Sequence, residues 1–257
     1  MPEKADLKDR LAAVRERIAS AARRGGRRPE DIVLVAVTKY ASMDQLRQLI
    51  ELGHIDLGES RVQQLAHRVA QIEEFLQRHH QLSTGRSPDF PELVRWHMIG
   101  HLQRNKVRKV LPLVRLIHSV DSLRLAEEIQ NAAAKYEEPV EVLVQVNTTG
   151  EKTKSGVVPA AVRHLTEQLD TMLNIRPRGL MCMAPFVEDP QDARPAFELC
   201  RDIFNEMRAR GVGGEKFNIL SMGMTNDFEV AIECGANIVR VGAAIFGPPA
   251  APENAAD

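Results

Sequence analysis

Residues 31–40 read DIVLVAVTKY, from Asp31 to Tyr40. Ile32 to Val37 is an unbroken apolar run rich in Val, and it stops abruptly at Thr38 and Lys39. Such a run, without polar alternation, is the pattern of a strand buried on both faces, as in a parallel sheet covered by helices. Lys39 is the first charged side chain after the run, so it stands where the strand leaves the core. In α/β folds the carboxyl ends of the strands carry the chemistry. A lone lysine at such a place is most often a solvated strand end. The other end of the chain makes the difference.

Working outward, a helix is expected over about 4–24, with Leu7, Leu11, Val14 and Ile18 at helical spacing and the pair Gly25-Gly26 closing it. Beyond Lys39, Ser42 and Gln45 have capping-box form and open a helix that Gly53 stops. Further strands are expected at Ile55–Gly58, Trp96–Gly100, Val114–Val120, Val140–Asn147, Ile175–Met183, Phe217–Leu220 and Asn237–Val241, each parted from the next by a helical pattern. One of those intervening segments, His101–Leu111, reads as a basic helix closed by Pro112. Repeated βα units demand parallel strands with right-handed crossovers. Eight of them in roughly 250 residues make a closed (β/α)8 TIM barrel. An open doubly wound sheet is the rival, but no GxGxxG follows the first strand. The α/β barrel core spans about 31–247 within a single domain, 1–257, and the leading helix is an extra that could plug the amino-terminal mouth.

Composition narrows the partners. The 257 residues are 44% hydrophobic and 27% charged with a net charge of −1, so no global field draws the chain to nucleic acid or an anionic membrane. Cys182, Cys200 and Cys234 show no CxxC spacing and no companion histidines, which fits buried thiols in a reducing compartment. The charged N-terminus is no signal peptide, and no apolar run approaches the roughly 20 residues of a membrane helix. A cytoplasmic protein is expected, and with no long exposed apolar helix, a monomer. The basic stretch from His101 to Lys109 reads as a solvated helix face or an anion site at the helix start, and His97 and His101 lack zinc spacing, so no metal is expected. Met181, Met183, Met222 and Met224 read as packing at the barrel end.

Closure makes the first and eighth strands neighbours. Lys39 and the segment Arg240-Val241-Gly242-Ala243 then share one rim. Phosphate on a TIM barrel commonly sits at the loops after strands seven and eight. Gly223 and Gly242 would permit close backbone approach there, Ser221 offers a hydroxyl, and amides after Gly242 would face the anion. Read singly, each glycine is simply a tight turn. A lysine beside a phosphate cup can form an imine with a phosphorylated aldehyde, since desolvation and a neighbouring cation such as Arg240 favour a neutral amine. Lys152 and Lys154, on the loop after the fifth strand, are solvated by default and could alternatively reach the barrel mouth.

At this point the sequence resembles a known family. AVTK ending at Lys39, GES at 58–60 followed by RVQQ, WHMIGHLQRNK ending at Lys106, VNTTGEKTKSG ending at Gly156, RGLMCMAP ending at Pro185 and the long block from Leu220 to Gly247 together resemble the pyridoxal phosphate homeostasis protein family. That family is similar in barrel fold to the fold-type III enzymes, alanine racemase and the ornithine decarboxylase group. The resemblance implies pyridoxal 5′-phosphate held by Lys39 as a Schiff base, its phosphate taken by Ser221 and the amides of Gly242 and Ala243, and Arg240 facing the pyridine nitrogen. It also implies a role in cofactor supply, with transient contact to apo-enzymes that use the cofactor. Ser60 stands where the family usually has asparagine, so a cofactor contact there would pass to its shorter hydroxyl or to a water.

A guanidinium at the ring nitrogen disfavours the pyridinium form and weakens the ring as an electron sink. Fold-type III enzymes carry a second, β-rich domain, and racemases a second proton-transfer residue. The only tyrosines here are Tyr40 and Tyr136, and Tyr40 should point away from Lys39 if strand geometry persists. No two-base pair is evident. The expectation is therefore a non-catalytic binding protein with no catalytic residues. A racemase of low activity and a cofactor-free aldolase acting through Lys39 are the alternatives.

Overall fold

The computed structural model describes residues 6–82, 90–151 and 155–248; Lys152 and Lys154 lie outside the described residues. The opening apolar run forms β1 (Val33–Val37), hydrogen-bonded on both sides. Seven more parallel strands follow in sequence order and close the barrel: β2 (Asp56–Glu59), β3 (Arg95–Met98), β4 (Leu116–Val120), β5 (Val140–Val146), β6 (Ile175–Cys182), β7 (Ile219–Ser221) and β8 (Ile238–Val241). Closure puts Val35 opposite Arg240 on β8 and Val37 opposite Gly58 on β2. The carboxyl ends of β1 and β8 are thus side by side.

The helices are α1 (Leu7–Arg24), α2 (Met43–Glu51), α3 (Val62–Leu82), α4 (Val107–Val110), α5 (Leu123–Ala133), α6 (Pro159–Asp170), α7 (Arg194–Ala209), α8 (Phe228–Glu233) and α9 (Ala243–Phe246). Ser42 and Gln45 form the reciprocal capping box at the start of α2. The segment expected as one basic helix over His101–Leu111 is instead broken. A 3-10 turn at Arg104–Lys106, the single turn of α4 and a second 3-10 turn at Leu111–Leu113 follow one another. Pro112 lies inside that last turn, where it has no N–H to extend the α-helical ladder.

The leading helix does not plug the amino-terminal mouth. Among the described residues, β8 is followed by no helix other than the four residues of α9, which leaves a gap in the outer ring between α8 and α2. α1 fills it with Leu7, Leu11, Val14, Ile18 and Ala21, all buried. Arg10 donates to the Ile245 carbonyl at 2.7 Å, and Arg17 and Arg24 pair with Glu229 and Glu233 on α8 at 2.8 Å each. The half-exposed pairs add little, and the apolar face supplies the attachment.

Two cores result. The larger lies between strands and helices. The smaller fills the barrel interior with Val35, Leu116, Leu143, Met181 and Ile238, joined by Val33 and Ile219. Strand alternation dictates what comes next along the axis. Two residues beyond Leu116, Leu143, Ile219 and Ile238 stand His118, Gln145, Ser221 and Arg240. The interior therefore changes from apolar to polar toward the carboxyl mouth.

Candidate functional site

A cavity of about 850 Å³ opens at that mouth. Lys39, Ser60, Arg240 and Ala243 all line it, with Thr225, Asn226 and Asp227 from the loop after β7, Gln145 from β5, and Met183 to Val187 from the loop after β6. The early lysine and the late arginine thus share one chamber.

Lys39 is carried by a turn. β1 ends at Val37, Thr38 N–H reaches Gly58 O on β2, and Ala41 N–H returns to Thr38 O at 2.9 Å. The strand geometry assumed for Tyr40 therefore fails one residue before Lys39. Tyr40 does not point to the opposite side; its ring lies 4.7 Å from Lys39 Nζ, and it is 59% exposed. The turn is fixed from beneath by groups that the sequence reading did not single out. Glu59, fully buried, accepts from Thr38 Oγ1 at 2.9 Å and from Ser60 N–H at 2.7 Å. Arg68 pairs with Glu59 at 3.2 Å and donates to the carbonyls of Thr38 and Ala41. Gln64, one turn earlier on α3, donates to Lys39 O at 3.2 Å. The i, i+4 spacing of Gln64 and Arg68 was the available signal, since it puts both on one helix face.

Arg240 is buried, and burial pulls it below its ordinary pKa. Its Nη1 donates to Ser221 Oγ at 2.6 Å and its Nη2 to Cys182 O at 2.9 Å. Ser221 was expected to offer its hydroxyl to an anion at the mouth. It is fully buried inside the barrel, engaged by Arg240 and 3.0 Å from His118 Nδ1, and it does not line the cavity. Its position at the last residue of β7 directs it inward to the polar layer rather than outward to the rim.

Thr225 takes the rim position instead. Its Oγ1 lies in the cavity wall and receives the Gly242 N–H at 3.3 Å. The Ala243 N–H, in the first turn of α9, has no acceptor within its own helix. Asp227 Oδ1 takes the Met224 N–H at 2.6 Å and closes the loop, and burial pushes its carboxyl above the usual range. The two glycines serve packing. Gly223 has φ +90°, and a Cβ there would meet Ala231 Cβ and Phe228 Cα at 2.7 Å; one on Gly242 would meet Val37 O at 3.2 Å. Gly100 lies against the backbone of Ser60, where a Cβ would come within 2.3 Å of Ser60 O.

Of the methionines, Met181 and Met222 are packed inside, whereas Met183 and Met224 are partly exposed at the cavity mouth. His97 is buried, and His101 lines the rim 3.4 Å from Asp121. Among the described residues no three His, Cys, Asp or Glu side chains are grouped to hold a metal ion, and no helix is long and apolar enough to cross a membrane.

The family model described as the alanine racemase N-terminal domain matches residues 11–249. A pyridoxal phosphate homeostasis protein of Aquifex aeolicus is 38% identical over 243 residues, covering 93% of this chain and 96% of that protein. The chain belongs to this family. PipY of Synechococcus elongatus, a structure with pyridoxal phosphate bound, superposes with a TM-score of 0.75 at 28% identity, covering 94% of this chain and all of that one. An alanine racemase of Clostridium difficile, at 16% identity and a TM-score of 0.67, shares the barrel fold over 96% of this chain and 60% of its own.

The chamber suits the cofactor that the family name carries. Among the described residues it offers one amine, a buried guanidinium with N–H groups left over after its two protein contacts, and a hydroxyl beside the Ala243 amide at the rim. These are donors for an aldehyde, a ring nitrogen and a phosphate, set in a wall otherwise rich in apolar groups.

Proposed function

We propose that the chain binds pyridoxal 5′-phosphate in this cavity, held through a Schiff base on Lys39, and serves in intracellular homeostasis and supply of the cofactor rather than in catalysis. Arg240 faces the ring nitrogen. Thr225 and the amides of Gly242 and Ala243 take the phosphate, Ser221 stands behind Arg240, and Ser60 borders the ring. The observation that carries this reading is the amine of Lys39 and the guanidinium of Arg240 on the wall of one chamber, from opposite ends of the sequence. The shared family with homeostasis proteins, and PipY with its bound cofactor, support it.

The bound cofactor supplies an aldehyde and an electron-poor ring; the chain's residues decide how that is used. A fixed guanidinium at the nitrogen keeps the ring from becoming a strong electron sink. Among the described residues lining the cavity, the acid–base groups besides Lys39 and Arg240 are Asp227, whose Oδ1 takes the Met224 N–H, and His101 at the exposed rim beside Asp121, a thin set for two-base chemistry. The three buried free cysteines suit a reducing, cytoplasmic setting. Release is expected through transient contact with apo-enzymes.

Purified protein incubated with the cofactor should show the visible band of a protonated imine, and borohydride reduction followed by peptide mass measurement should place the adduct on Lys39. Loaded protein mixed with an apo-enzyme should restore its activity. A Lys39→Ala variant that retains the band would refute the covalent assignment. Sustained solvent deuterium exchange at the α-carbon of an amino acid, dependent on Lys39, would make the protein a racemase-type catalyst instead.

A further inference from the structure

A single file of hydrogen bonds crosses the barrel interior behind the cavity. It begins at the amino-terminal mouth, where Asp56 at the start of β2 is paired with Arg95 and stands 3.1 Å from His97 Nε2. His97 Nδ1 is 3.0 Å from His118 Nε2, and His118 Nδ1 is 3.0 Å from Ser221 Oγ. Ser221 Oγ in turn receives Arg240 Nη1 at 2.6 Å. All five side chains are buried. Four of them belong to no contact of the cavity, and only Arg240 faces it.

The two ends give the file a direction. A guanidinium can only donate, and an ionised carboxylate can only accept. With Asp56 accepting, His97 carries its proton on Nε2, and a neutral His97 then presents a bare Nδ1. His118 must donate to that atom from its own Nε2, which leaves its Nδ1 bare. Ser221 donates its hydroxyl proton there and accepts from Arg240 on its lone pairs. Every link is made once, with no donor facing a donor. In this arrangement, with both imidazoles neutral, they share one tautomer.

The environment favours that state. Burial pulls up the Asp56 carboxyl, but hydrogen bonds from His97 and Arg95 outweigh it and hold it below the usual range. Burial, then the neighbouring His97 and Arg240, push His118 well below an ordinary imidazole. Arg240 itself enters no ion pair among the described residues; its contacts are a hydroxyl and a carbonyl. A buried cation that enters no direct ion pair is costly unless nearby charge and oriented dipoles solvate it; the Asp227 carboxylate, also on the cavity wall, favours its charge, and the file supplies the dipoles. Each member of the file turns its acceptor end toward Arg240, and the file terminates on a carboxylate.

We propose that Asp56, His97, His118 and Ser221 are positioning residues that fix the Arg240 guanidinium against the cavity wall and carry the negative end of Asp56 toward it through the barrel. The proposal rests on the reading that Arg240 faces the ring nitrogen, and it predicts that a carboxylate at the opposite mouth of the barrel tunes the cofactor site without touching it.

Two measurements test it. In the cofactor-free full chain, long-range ¹⁵N–¹H correlation at neutral pH should show His97 and His118 each with a protonated Nε2 and a bare Nδ1. Either imidazole found doubly protonated, or with its proton on Nδ1, overturns the relay. In the loaded protein, with cofactor ¹⁵N-labelled in the ring, Asp56→Asn and His118→Phe should shift the ring-nitrogen resonance and weaken cofactor binding about tenfold, the loss expected when a hydrogen bond to a charged group is relaxed. Lys39 should still be trapped by borohydride in both, and His118→Gln, which keeps a donor and an acceptor, should recover most of the affinity. Variants that lower thermal stability but leave the ring-nitrogen signal and the dissociation constant at wild-type values would reduce the file to a structural element and refute the proposal. Failure of the wild-type chain to take up the cofactor would sink the functional reading alone, because the tautomer measurement needs no cofactor.

Discussion

Replacing Arg68 by methionine should loosen the turn that carries Lys39 and destabilise the barrel together. Arg68 is 6% exposed, Glu59 is fully buried, and their charged groups are 3.2 Å apart. Removing one member of a buried pair costs about 3–5 kcal/mol, because the other charge is left without its partner. Glu59 keeps Thr38 Oγ1 at 2.9 Å and the amides of Ser60 and Arg61 at 2.7 and 3.3 Å, so the loss should fall near the lower end, about 3 kcal/mol. The carbonyls of Thr38 and Ala41 lose their shared donor in the same step. Urea unfolding at constant pH reads the stability of Arg68→Met, Glu59→Gln and the double variant. The double should be less destabilised than the sum of the singles by about 2 kcal/mol, since removing both charges leaves neither stranded. Borohydride trapping at Lys39 should slow in Arg68→Met, as the amine is no longer held toward the chamber. Wild-type stability within about 0.5 kcal/mol, or strict additivity in the cycle, would refute the role given to this pair.

Other outcomes follow from the same structure. Burial, then the charge of Arg15, holds the pKa of His54 down to about 4, against an ordinary 6.5. The unfolded chain therefore binds that proton first. Stability should be constant above about pH 6.5 and fall by about 3 kcal/mol as pH drops toward 4, and a His54→Gln variant should lose much of that slope in urea titrations. Thr225→Val should weaken cofactor binding about tenfold while Lys39 still reacts, if its hydroxyl and not that of Ser221 meets the phosphate; unchanged affinity would return the phosphate contact to other groups. Gly223→Ala should cost about 2–4 kcal/mol in thermal or urea unfolding, from the left-handed φ of +90° and the 2.7 Å approach of Ala231 and Phe228.

Sequence alone determined the number and order of the strands, because a strand buried on both faces must be apolar throughout and a crossover helix must be amphipathic. From barrel closure it also followed that Lys39 and Arg240 share a rim, a consequence of topology that needs no side-chain geometry. Direction and neighbourhood were decided only in three dimensions. Tyr40 turns toward Lys39 because β1 ends two residues before the lysine. Ser221 faces inward because it closes β7 on the interior side, and so leaves the rim to Thr225. The leading helix lies in the outer ring because α9 is too short to complete it. The file from Asp56 to Arg240 draws on five different strands, so no local pattern announces it. A side chain's partner depends on which residues of other strands the register sets beside it, and that is a property of the assembled barrel.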